Sequence, residues 1–266
     1  MSAERPGALR LAATYLRVNA LNELQYRANL ALQIVQSVIS LGTGLVVLAL
    51  VFGRTNELRG WTRPELLAVL GVFTLLGGLI RAIVQPNMDQ LLTDVRQGTL
   101  DYALTRPADA QLLASIRRVA IWQLVDVVAG LVVLAVALVQ LGHSLGIGSA
   151  VAFVAMLALS MVLVYSFWLI ITSGAFWFVR MDEIHELFDG VYRAGAYPVT
   201  IYPRWLRWGL TFLVPVGLAV TVPAQALTDR LRWPTVLLAV IVAVGASALA
   251  RFVWMRGLRR YSGASS

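Results

Sequence analysis

Residues 30–52, LALQIVQSVISLGTGLVVLALVF, run for 23 positions without a charged side chain. At 1.5 Å per residue, a helix of that length matches a hydrocarbon layer about 30 Å thick. In such a layer each backbone N–H and C=O must find its partner within the segment, which restricts the chain to a helix. Apolar runs of similar length, three of them carrying one or two charges, recur at about 64–84, 119–141, 149–171 and 234–255. The chain is 59% hydrophobic and only 14% charged, with a mean hydropathy of +0.74, whereas soluble domains are about 25% charged. The expectation is an all-α polytopic membrane protein with six transmembrane helices, its fifth span being the least clear.

Two segments compete for that fifth span. Hydropathy favours 206–223, LRWGLTFLVPVGLAVTVP. The alternative is a short polar helix at about 183–199, with 206–223 forming a broken re-entrant or interfacial pair. Such a break needs protein or water around its freed backbone groups, and Pro215 and Pro223 are the expected breaking points.

Polar groups inside the spans limit how the helices face each other. Gln33, Gln36, Ser37 and Ser40 fall three or four apart and share one face of the first span. Two readings stay open: hydrogen-bonding glue between helices, or the lining of a polar path. Gly77 and Gly78 permit close helix approach. Asp126, near the start of the third span, needs snorkelling, a neighbour such as Arg117 or Arg118, or a polar bundle interior to remain charged. Trp168, Phe176, Trp177 and Phe178 read as core and interface aromatics.

Outside the spans, residues 9–27 form an expected basic amphipathic helix at the membrane surface, interrupted by Arg10, Arg17 and Arg27. No continuous apolar core precedes a cleavage site in the first twenty residues, so the amino terminus is expected to stay attached. Residues 85–118 are polar but carry apolar anchors such as Leu91, Leu100 and Leu113, which predicts short helices packed at the membrane base or on a partner. Six spans with both termini inside place 14 arginines on the inner side and 7 on the outer, with Arg193 unassigned. That bias has the sense of the positive-inside rule and puts 85–118 in the cytoplasm.

Several chemistries are excluded. The chain has no Cys and no Lys, so it carries no thiol nucleophile, cysteine metal site or phosphate-loop lysine of its own. Its two histidines, His143 and His185, fall on opposite sides of that topology, and no H-E-x-x-H pair exists. The net charge of +8 comes from arginines flanking the spans instead of one basic stripe, so no nucleic-acid partner is expected. Among Asp182, Glu183, Glu186 and Asp189, the last two share a face with Arg193, which predicts an acid-to-Arg helix pair. Solute contact or gating is the other reading of Glu186 and Asp189.

The stretches RQGTLDYALTRPADAQLL at 96–113 and YPVTIYPRWLRWGLTFLVPVGLAVTVPAQAL at 197–227, together with the span pattern, resemble the permease subunit of bacterial ABC-2 type exporters. The resemblance covers nearly the whole chain as a single transmembrane domain. It implies a subunit without catalytic residues, bound metal or cofactor, coupled to a separate nucleotide-binding ATPase that carries ATP and Mg. It also implies a second permease, identical or homologous, surrounding lipid, and a place in the bacterial inner or cytoplasmic membrane. By this resemblance Arg96, Gly98, Thr99, Leu100, Asp101, Leu104, Arg106 and Pro107 face the ATPase. Tyr197, Pro198, Tyr202, Pro203, Pro215 and Pro223 fall in an external gate region, and the short fifth span is favoured. An ATPase-independent membrane enzyme or lipid scramblase, or an assembly subunit, remains as the alternative.

Overall fold

The computed structural model describes residues 27–101, 109–142, 146–177 and 184–261. The expected surface helix at 9–27, apart from Arg27 at its end, His143, Phe178, the Leu104, Arg106 and Pro107 stretch, and Asp182 and Glu183 therefore lie outside the described residues, as do the side chains of His185 and Glu186.

The described residues are helical apart from turns and one isolated backbone bridge between Leu58 and Trp61. We number the α-helices α1 (Arg27–Phe52), α2 (Arg63–Leu79), α3 (Gln85–Gln97), α4 (Ala110–Ser115), α5 (Leu124–Leu141), α6 (Ile147–Ser173), α7 (Ile184–Tyr192), α8 (Arg204–Trp208), α9 (Val216–Leu227) and α10 (Trp233–Leu258). A π-helical turn, Ile80–Val84, joins α2 to α3 without interruption. The second expected span thus runs on as one 35-residue helix into the polar region, where separate short helices were expected. Five helical stretches are long and apolar enough to cross a membrane, or six if the bent pair Arg204–Leu213 and Val216–Leu227 counts as one span.

The continuous helix Arg63–Gln97, which begins as α2, is the most buried of the five: 67% of its most apolar stretch is buried, against 11% for α1. Between helices in lipid, apolar contact is no better than apolar lipid, so association rests on close packing. Glycine supplies it here. A Cβ on Gly130 of α5 would lie 2.5 Å from the Leu75 nitrogen, and one on Gly78 would lie 2.8 Å from the Val127 nitrogen. The expected close approach is met by Gly78, while Gly77 faces Tyr192 and Arg81.

The π turn has a local cause. Pro86 has no N–H to give the Ala82 carbonyl four residues earlier. Ala120 donates to that carbonyl instead, at 2.9 Å. Next to it, Asn87 Nδ2 donates to the carbonyls of Ile83 and Arg118, at 2.6 and 2.7 Å, and Asn87 Oδ1 accepts from the Arg118 N–H. One proline and one asparagine thereby fasten the chain entering α5 to the middle of the long helix.

The disputed region resolves into geometry. Helix α7 has nine residues, about 14 Å at 1.5 Å each, and continues as a 3-10 turn over Arg193–Ala196. Tyr192 stacks on Phe73 at 4.8 Å and donates to its carbonyl at 2.8 Å, and Phe188 packs on Trp168 at 4.8 Å. Beyond it, Thr200 accepts from Trp61 Nε1 at 3.0 Å. The segment 204–227 then bends by 92°. Pro215 makes the break: Val214 before it is extended, as the residue ahead of a proline prefers. Pro223 does not break anything. It sits inside α9, whose residues Val216–Ala224 are all buried, so packing holds the helix across the missing bond. After the pair, Arg230 reaches Glu65 and the Gly60 carbonyl. Both ends of the bent pair therefore sit at the Trp61 end of α2.

Candidate functional site

A polar cavity of about 270 Å³ lies between α1, α2, the π turn, the start of α5 and α7. The first-span residues singled out from the sequence, Gln33, Gln36, Ser37 and Ser40, all line it, and so does Asp189. Helical spacing brings the four together, with Gln33 and Ser37 buried and Gln36 and Ser40 exposed.

Asp126 is 5% exposed and lies in the cavity wall. Its partner is neither Arg117 nor Arg118. Arg81 Nη2 stands 2.7 Å from Asp126 Oδ2, and Gln33 Nε2 donates to the same oxygen at 3.2 Å. The Arg81 Nε donates to Gln123 Oε1 at 3.2 Å. Arg117 is committed elsewhere, to Asp94 at 2.7 Å. One carboxylate thus ties three long helices together, and Arg81 is carried by the π turn, a distortion found often at functional sites. The sequence signal for Arg81 was its position as a charge that follows fifteen uncharged residues, 66–80, within an apolar span.

The expected pairing of Asp189 with Arg193 does not form. The helix ends at Tyr192 and Arg193 begins the 3-10 turn, so the four-residue α spacing that would bring the two side chains together is lost. Both line the cavity instead, and neither has an ion pair or hydrogen bond among the described residues.

A second polar assembly lies at the far end of α3. Gly98 adopts φ +70°, which only glycine takes without strain, and closes the helix by donating to the Asp94 carbonyl. Asp94 Oδ1 accepts from Gln90 at 2.6 Å and Thr99 at 3.3 Å, and its Oδ2 takes the Arg117 bond. Leu100 is wholly buried, so it anchors the turn internally, while Arg96 is exposed. Asp109 caps α4 by accepting from the N–H groups of Gln111 and Leu112. Arg251 of α10 donates to Asp109 Oδ2 at 2.9 Å and Gln111 Oε1 at 2.7 Å. That hydrogen bond holds the Asp109 carboxyl below its ordinary value against a smaller opposing effect of burial. Tyr165 of α6 lies 2.6 Å from Ser115 Oγ and accepts from Gln111 Nε2 at 3.3 Å. Asp94, Tyr165 and Arg251 were not singled out from sequence, because their roles depend on partners 23 to 142 residues away.

The remaining gate candidates gather at the opposite end. Tyr197 and Tyr202 are extended ahead of Pro198 and Pro203. The Tyr202 hydroxyl donates to the Ala194 carbonyl at 2.8 Å, and Arg207 donates to the Thr200 carbonyl at 2.8 Å. These folded turns, with Pro215 at the bend, lie away from the polar cavity and among its lining residues contribute none. No group of three metal-ligating side chains occurs among the described residues.

The long apolar helices and the open polar cavity between them define a multi-pass membrane protein with a hydrophilic compartment among its spans. A family model described as ABC-2 family transporter protein matches residues 38–265, and the chain belongs to that family of membrane transport proteins. No curated protein and no solved structure matches it.

Proposed function

We propose that this chain is the permease half of an ATP-driven exporter in a bacterial cytoplasmic membrane, working with a separate nucleotide-binding ATPase and a second permease. Family membership supports the class, and the hydrogen-bonded assembly at the far end of α3 carries the coupling argument. A surface that passes on ATPase movement must be joined to spans that move, and must differ in its contacts between at least two states. Here the segment around Gly98 is fixed to Arg117 through Asp94, and α4 is fixed to α6 through Tyr165 and to α10 through Arg251. The route thus reaches the fourth and last long spans, as well as α2, which is continuous with it.

In this reading the Gly98 end is cytoplasmic, with Arg96, Thr99 and Asp101, and Leu104, Arg106 and Pro107 beyond them, forming the ATPase-facing region. The chain from α7 to Thr200 is the short fifth crossing. The bent pair is an external re-entrant element, because both its ends are tied to the Trp61 end of α2. The cavity lined by Gln33, Gln36, Ser37, Ser40 and Asp189 is part of the passage, completed by the second permease. The uncovered apolar face of α1 suits such an arrangement: Leu32, Val35, Val38 and Ile39 are all exposed.

Co-purification with the ATPase encoded beside it tests the partnership. Nucleotide-dependent association in native-like lipid is the expected result, and none sinks the reading. Because the chain has no cysteine, single-cysteine variants report sidedness cleanly. Thr200→Cys and Asp229→Cys should react with impermeant reagent from outside, and Gln97→Cys only from inside.

A further inference from the structure

The cavity between α1, α2, α5 and α7 carries a charge pattern that specifies what enters it. Four charged side chains line it, Arg81, Asp126, Asp189 and Arg193. Arg81 and Asp126 neutralise each other at 2.7 Å, with Gln33 and Gln123 completing their bonding. Asp189 and Arg193 are left, one of each sign, each without an ion pair or hydrogen bond among the described residues although both line the same space. Arg81 lies 18 residues along the continuous helix from Arg63, about 27 Å, and Phe73 only about 15 Å. In the orientation proposed above, the cavity runs from mid-membrane to the cytoplasmic headgroup level. Unpaired charges there are costly and mark sites of function.

We propose that this cavity binds a zwitterionic group, its cationic nitrogen at Asp189 and its anionic oxygens at Arg193, with the amides and hydroxyls of Gln36, Ser37 and Ser40 supplying neutral hydrogen bonds. A simple cation leaves Arg193 unpaired and a simple anion leaves Asp189 unpaired; a zwitterion satisfies both. Charge-assisted hydrogen bonds of this kind are about twice as strong as neutral ones. The size agrees. A volume of about 270 Å³ equals roughly nine waters at about 30 Å³ each, room for a head group or small solute. The proposal rests on reading the cavity as part of the export passage and names the chemistry that passage accepts.

The test uses the full-length chain in amphipol and measures binding of four single-chain amphiphiles of equal tail length. These are lysophosphatidylethanolamine (zwitterionic), lysophosphatidylglycerol (anionic), an alkyltrimethylammonium (cationic) and an alkyl maltoside (a neutral polyol). The zwitterion should bind at least about tenfold more tightly than the others, a difference of about 1.4 kcal/mol. Asp189→Asn should weaken it and shift preference toward the anionic probe. Arg193→Gln should weaken it and shift preference toward the cationic one. Neither side chain has an ion pair or hydrogen bond among the described residues, so both variants should keep the parent thermal stability. Glycerophosphoethanolamine, which has no tail, separates the sources: full competition supports a soluble zwitterion as the ligand, and failure to compete supports a lipid head group. Equal binding of all four probes, preference for the polyol, or an unchanged ranking in both variants overturns the proposal. Binding is read without the ATPase, so such a result leaves the partnership intact. A permease that binds the zwitterion but no ATPase defeats the partnership alone.

Discussion

Arg251 Nη2 stands 2.9 Å from Asp109 Oδ2, joining the last long helix to the cap of α4 across 142 positions of sequence. Both side chains are nearly half exposed, and pairs of this kind contribute only about 0–1 kcal/mol to stability. Their importance is directional. Arg251→Asp should leave the melting temperature nearly unchanged and lower ATP turnover of the assembled transporter roughly fivefold or more, the scale of ordinary coupling energies. The swap Arg251→Asp with Asp109→Arg should restore much of it. Turnover that is unaffected by the single change removes Arg251 from the coupling route.

The same pair fixes a pH response. The Arg251 hydrogen bond, aided by the N–H groups of Gln111 and Leu112, holds the folded Asp109 carboxyl below its reference value of 3.8. A lowered folded pKa means that the stabilisation is complete above the unfolded value and is lost as pH falls through the folded one. The difference between the parent and Arg251→Gln should therefore be flat from about pH 5 to 8 and shrink below about pH 4. Parallel thermal melts measure it; a difference that varies between about pH 6 and 8 counts against this assignment.

Asp126 is buried at 5% exposure, so removing its partner leaves a charge with one amide for company. Breaking a buried pair from one side costs about 3–5 kcal/mol. Arg81→Gln should lower stability on that scale, whereas Arg81→Gln with Asp126→Asn should recover most of the loss, because no uncompensated charge remains. A double-mutant cycle on unfolding in detergent gives the coupling, and additive losses would show that the two residues act separately.

At Gly130 an added Cβ meets the backbone of Leu75, 2.5 Å from its nitrogen, and backbone at a helix contact cannot yield. Gly130→Ala should destabilise by about 1–3 kcal/mol. At Gly245 of α10 nothing lies within 4 Å, so Gly245→Ala should be neutral or stabilising by up to about 1 kcal/mol. Thermal melts of the two variants, identical in chemistry and opposite in sign, separate packing from helix propensity.

The polar face Gln33, Gln36, Ser37 and Ser40 was legible in the sequence because helical periodicity is local, and the structure opens it onto a cavity. Arg81, Asn87, Asp94 and Arg251 were not, since each acquires its role from a residue more than twenty positions away. The Asp189 and Arg193 pairing failed on a local point, the change from α to 3-10 geometry at Tyr192, which periodicity alone does not reveal.

What the sequence by itself determined is the membrane class, the long spans and the faces that turn away from lipid, because hydropathy and the 3.6-residue period act within one segment. Only the tertiary structure decided the rest. It bent residues 204–227 by 92° at Pro215 but not at Pro223, paired Asp126 with Arg81, and left Asp189 and Arg193 facing a shared cavity. Those outcomes turn on which side chains from distant segments meet, and packing against neighbouring helices sets that.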